Sequence, residues 1–152
     1  MPLQEDNAQV GERSNWHTEE HAKINKRLTT IEGEFDLPPY HPDKVPVIIL
    51  QLRSFRSLLR VHFENEEKNG LQCEFPAIYP RLVSGLNRLE AQHSELLEHL
   101  DLTIQLVADS LGPFELDTAR RAFKIFVVEL RHHEDGEVRS HSERFLRRHR
   151  GL

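Results

Sequence analysis

Several things are scarce in this 152-residue chain, and each shortage narrows what it can be. The single cysteine, Cys73, excludes an internal disulfide and matches a reducing compartment. The same shortage makes a structural zinc site unnatural, because such sites favour thiolate ligands. No apolar run approaches the ~20 residues of a membrane span, so no membrane partner is expected. The first residues are polar and acidic, unlike a secretory leader, and a cytoplasmic location is the expectation. Positive charge is in deficit: 25 acidic against 20 basic side chains leave a formal net charge of −5. That balance disfavours generic nucleic-acid binding. The exception is residues 139–152, with five arginines and one glutamate. They read as a solvated helix end, favourable against the helix dipole, with docking to an acidic protein partner as the alternative. No segment shows the pattern of a strand. Histidine is the residue in excess, with ten copies.

The order of elements follows from periodicity and breakers. Residues 1–13 lack periodicity and are expected to form a flexible tail, with the bundle over residues 14–149. Ser14 is the expected N-cap of a first helix whose stripe is His17, His21, Ile24, Leu28, Ile31 and Phe35. The prolines of DLPPYHPD end it, and Asp43 can cap a second helix that runs to about Lys68 and stops at Asn69-Gly70. A connection with Cys73 and Pro76 leads to a third stripe, Leu82, Leu86, Leu89, His93, Leu96 or Leu97, Leu100 and Ile104. Gly112-Pro113 is expected to end that helix, and a fourth starts near Asp117. Four amphipathic helices with short connections predict an all-α, up-down-up-down four-helix bundle.

Two of these helices carry the same stripe. One is Ile48, Leu52, Phe55, Leu59, His62 and Glu66; the other is Ala119, Phe123, Phe126, Leu130, His133 and Glu137. Steps alternating between four and three residues keep all six side chains on one face of a helix. Each stripe is apolar for four positions and then ends in His-x-x-x-Glu. A core face does not hold a carboxylate without a positive partner, because burying an isolated charge is prohibitive. Two such pairs predict a shared metal centre. The expected topology adds a test of level. Measured from the end of the bundle that holds the loops after helices 1 and 3, His21, His62, His93 and His133 all fall at ~21 to ~27 Å, at roughly 1.5 Å per residue.

The segments EEHAKINKRL in helix 1, HFENEE in helix 2, LEAQHSELLEHL in helix 3 and HHEDGE in helix 4, in this order and spacing, resemble the hemerythrin-like (HHE cation-binding) family over about residues 14–140. The resemblance implies one histidine from each helix and one carboxylate from each of helices 2 and 4. Carried over by position, the ligands are His21, His62, Glu66, His93, His133 and Glu137. The implied cargo is two non-haem iron ions joined by an oxo or hydroxo bridge and by both carboxylates. Imidazole and carboxylate suit such ions. Two six-coordinate ions offer roughly twelve positions, and this donor set leaves about two of them open, enough for a diatomic molecule.

The chain departs from the oxygen carriers of that family at helix 3, where Leu89 and Leu97 flank His93 instead of a second histidine. His17, one turn from His21, is the alternative or additional ligand on helix 1. A simple oxygen-carrier role is therefore not the expectation. The expected function is binding or sensing of O2, NO, or iron and redox state. The alternative is a redox enzyme, or an iron-centre repair or iron-handling protein, using the same site. Two further patterns compete. Glu90-Ala-Gln-His93 and Glu129-Leu-Arg-His132 fit the Glu-x-x-His signature of ferritin-like di-iron bundles, but His132 points off its stripe. Glu90 is a candidate for orienting His93 from behind. His41 is expected as a surface residue of the proline-rich loop, His99 and His132 point off the core stripes, and His141 and His149 belong to the basic tail and need no ligand role.

Overall fold

The computed structural model describes the backbone of residues 3–37, 40–71 and 80–150, and the side chains of residues 18–37, 40–68, 85 and 87–135. Four helices account for nearly all of it: α1 (Leu3–Asp36), α2 (Lys44–Leu71), α3 (Pro80–Ala108) and α4 (Pro113–Arg150). Among the described residues there is no strand, and no helix is long and apolar enough to cross a membrane. The chain is an all-α four-helix bundle. Each helix packs on the next, and α4 closes the ring on α1. Numbering rises on one helix as it falls on its neighbour. Arg27 bonds Ser54 while His21 faces His62; Arg56 pairs with Asp101 while Glu66 meets His93.

The sequence stripes become the core. Ile24, Leu28, Ile31 and Phe35 of α1 and Ile48, Leu52, Phe55 and Leu59 of α2 are buried. They meet Leu96 and Leu100 of α3 and Ala119, Phe123, Phe126 and Leu130 of α4. Phe55 meets Phe126 edge-on at 6.2 Å between ring centres, and Phe35 packs on Phe123 at 5.5 Å. Truncating one such phenylalanine to alanine removes roughly 3–5 kcal/mol. On α3 the lower part of the stripe is rotated from expectation. Thr103 and Val107 are buried, whereas Ile104 is only partly so. Thr103 is tolerated inside because its hydroxyl donates to the His99 carbonyl at 3.0 Å.

Helix ends depart from the sequence reading at three places. Helix α1 takes in residues 3–13, expected as a tail, and Ser14 lies within it instead of capping it. The segment lacks proline, and its Leu, Gln, Glu, Ala and Arg residues form helix at little cost even without an apolar stripe. Helix α2 continues through Asn69-Gly70 to Leu71. At the fourth helix, Pro113 opens α4 instead of closing α3, which ends at Ala108. Proline suits the first helical position, where no backbone donor is needed. The Leu111 N–H donates to Glu115 Oε2 at 2.8 Å, and the Leu116 N–H to the Gly112 carbonyl at 3.1 Å, so the start of α4 is built four residues upstream of Asp117.

Near these connections, a cavity of about 180 Å³ lies among Phe35, Tyr40, Lys44, Leu116 and Arg120. Phe35 is fourteen residues along α1 from His21, or ~21 Å at the helical rise. The cavity thus sits at the opposite end of the core from the histidines.

Candidate metal centre

Past Phe55, Leu59, Phe126 and Leu130 the core stops being hydrocarbon. The next positions inward on the four helices are His21, His62, His93 and His133, and the last three are buried. The helical period that makes the apolar stripe also delivers these imidazoles to one level. The rings of His21 and His62 lie 5.6 Å apart, and those of His93 and His133 lie 4.5 Å apart.

Glu66, one turn beyond His62 on α2, joins the two pairs. Its side chain is 7% exposed. Its Oε1 lies 2.5 Å from His62 Nε2. Its Oε2 lies 3.0 Å from His93 Nε2 and 3.9 Å from His133 Nε2. Two groups of metal-ligating atoms result, His21–His62–Glu66 and Glu66–His93–His133, each gathered within 4.8 Å, with Glu66 in both. Both carboxylate oxygens, His21 Nε2, His62 Nδ1 and His133 Nε2 are closed to solvent.

The far nitrogens of two imidazoles are held from behind. His93 Nδ1 meets Glu67 Oε1 at 3.2 Å, and His133 Nδ1 meets Gln92 Oε1 at 2.8 Å. In each case the oxygen acceptor places the proton on Nδ1 and aims Nε2 at Glu66. The group behind His93 is thus Glu67 of the neighbouring helix instead of Glu90 of its own. Phe63 completes the wall. Its ring stacks on His93 at 4.0 Å and 8°, and meets His133 edge-on at 5.5 Å. Glu134, beside His133, is also buried. Glu67, Gln92, Phe63 and Glu134 carry no signal in the stripe pattern, since all flank it. Their only sequence mark is adjacency to Glu66, His93, His62 and His133.

Five of the six carried-over ligands, His21, His62, Glu66, His93 and His133, are thus brought together. The side chains of Glu137 and of His17 lie outside the described residues, as do those of Cys73 and the arginines of residues 139–150. The ferritin-like alternative is not what the geometry presents. Glu129 pairs with His99 on the outside of the bundle, and His132 is exposed. His41 is exposed in the α1–α2 connection beside Asp43.

The donor chemistry fits a metal. A dry carboxylate needs a positive partner. One protonated imidazole would balance Glu66, yet four imidazoles converge around it. His93 and His133, with oxygen acceptors at Nδ1, turn Nε2 inward, the nitrogen through which an imidazole so held can ligate. Compared with known proteins, the chain matches no family model, no curated protein and no solved structure.

Proposed function

We propose that this chain is a dinuclear metal protein, holding two non-haem iron ions in its core to bind or sense a diatomic ligand, O2 or NO. The single observation that carries the reading is Glu66: one oxygen faces His62, the other faces His93 and His133, so one carboxylate serves two groups of imidazoles. That is the disposition a bridging carboxylate needs. His21 and His62 would hold one ion, His93 and His133 the other, and Glu137 would be the second carboxylate, as the hemerythrin-like resemblance implies. Nitrogen and oxygen donors without thiolate suit iron, and carboxylates favour its higher oxidation state. Bound there, the pair of ions would supply reversible redox chemistry and open coordination positions for a small ligand.

This chain's own residues set the conditions. Glu67 and Gln92 fix two imidazoles, Phe63 shields their faces, and the apolar layer of Phe55, Leu59, Phe126 and Leu130 excludes water from below.

The test is metal content and response. Purified protein should hold about two irons per chain, as expected for two six-coordinate ions, and should show a ligand-to-iron charge-transfer band when oxidised. Failure of the metal-free protein to take up ferrous iron under anaerobic conditions overturns the reading. Rapid mixing of the reduced protein with O2 or NO then separates the functional classes. A spectrum that reverses on removing the gas supports binding or sensing. Irreversible turnover supports redox catalysis, and loss of iron on reduction supports iron handling.

A further inference from the structure

The cavity beside the first turns of α2 and α4 serves neither the core nor the proposed metal centre. Its volume is about 180 Å³, and its apolar wall is Phe35, Tyr40 and Leu116. Phe35 and Leu116 are buried, and Tyr40 packs on the core cluster. An engineered cavity of ~150 Å³ in another protein holds one benzene molecule, so this space takes a single aromatic ring. The rest of the lining is polar. Lys44, the first residue of α2, and Pro113, the first of α4, both line the cavity. Two helix N-termini, which favour negative charge, thus meet there against one C-terminus, that of α1 at Asp36.

The carboxylates of the lining are already answered. Asp36 and Asp117 both pair with Arg120, at 3.3 and 2.9 Å; Lys124 stands 3.8 Å from Asp36, and Arg121 stands 3.1 Å from Asp117. Lys44 is different. It is half-buried, and among the described residues neither its ammonium nor the Tyr40 hydroxyl has a hydrogen-bond or ion-pair partner. Two free donors, one of them charged, therefore line a space whose remaining wall is apolar and aromatic. We propose that this cavity binds a small aromatic monocarboxylate, of which benzoate is the simplest. The ring lies against Phe35, Tyr40 and Leu116, where it gains apolar burial and aromatic contact. The carboxylate accepts from Lys44 and Tyr40, and the first of these bonds is charge-assisted. The site uses no residue of the histidine cluster, which lies at the other end of the core.

Benzoate is the probe, and a nuclear magnetic resonance titration of the full chain reads both affinity and place. Benzoate is expected to bind saturably and to shift the amide signals of Tyr40, Lys44 and Leu116, leaving those of His62 and His133 unmoved. Lys44→Gln should bind benzoate at least about tenfold more weakly. The wild type should discriminate as strongly against benzamide, which keeps the ring and lacks the charge. Lys26→Gln removes an exposed lysine elsewhere and should match the wild type. His62→Ala, which damages only the buried cluster, should match it too, so a failure of the metal reading leaves this result intact. Absence of saturable binding, benzamide binding as tightly as benzoate, or full affinity in Lys44→Gln overturns the proposal. So does an equal weakening in Lys26→Gln, or loss of affinity in His62→Ala, which would put benzoate on the buried centre.

Discussion

At the scale of single residues, Glu66 has the largest predicted effect. Glu66→Gln keeps its shape and removes its charge. Because both groups of imidazoles use this carboxylate, the variant is expected to lose most of both proposed ions, leaving under one metal per chain where about two are proposed for the wild type. Metal analysis of the purified variant checks this; a clean loss of one ion would mean that the two positions do not share Glu66. Glu67 and Gln92 should act differently. Glu67→Ala or Gln92→Ala removes the group behind one imidazole and should weaken metal binding by roughly 10–100-fold. Competition against a chelator measures that change, and the melting temperature of the metal-free protein should stay near wild type. The contrast also marks what the sequence disclosed. Glu66 and the four histidines were legible because they continue apolar stripes at helical spacing. Glu67 and Gln92 were not, because they sit on the flanks, and what a flank residue touches depends on the axial register between two helices. No periodicity in one helix contains that register.

At the scale of elements, the four helices were readable from the 3.6-residue period, as were the end of α1 and the start of α2, but several other ends were not. A proline can stop one helix or begin the next. Pro113 does the second, as the Glu115 side chain reaching back to the Leu111 N–H and the Leu116 N–H bonded to the Gly112 carbonyl show. The same first turns of α4 carry a charged clamp. Arg120 bonds Asp117 at 2.9 Å and Asp36 of α1 at 3.3 Å, and Lys124 stands 3.8 Å from Asp36. The hydrogen bond from Arg120 holds the Asp117 carboxyl below the usual carboxylate range, outweighing the opposite effect of its partial desolvation. Asp117 therefore contributes its stabilisation above the ordinary aspartate range near pH ~4, and loses it as pH falls through the lowered folded value. Asp117→Asn should lower the melting temperature slightly at neutral pH, and its difference from wild type should vanish in strong acid. A difference that grew on acidification would contradict the sign. The effect should also shrink in high salt, as expected for a clamp at the surface.

At the scale of the whole molecule, the centre ties all four helices together, whereas each aromatic contact ties only one or two. An ion that binds the folded state alone stabilises it by about 2.7 kcal/mol when present at a hundred times its dissociation constant. Removing metal with a chelator should therefore lower the melting temperature of the wild type by several degrees. His62→Ala should abolish most of that difference, because its ring lies at the heart of the cluster. Fold class was the most legible property at this scale, since four stripes and three breakers allow few other arrangements. The identity of the proposed metal was the least constrained: imidazole and carboxylate can hold several metals, and which one binds depends on coordination geometry and supply as much as on donor type.

The division of donors among the helices also has a consequence in time. His21, His62 and Glu66 all come from α1 and α2, whereas His93 and His133 wait for α3 and α4. On a ribosome, the first group is complete while the later half of the chain is still being made. A nascent hairpin of α1 and α2 can thus meet an ion before the walls that will enclose it exist. On the proposed iron reading, the first ion enters during synthesis, and iron added late to cells grown in iron-poor medium is expected to fill the centre less completely than iron present throughout.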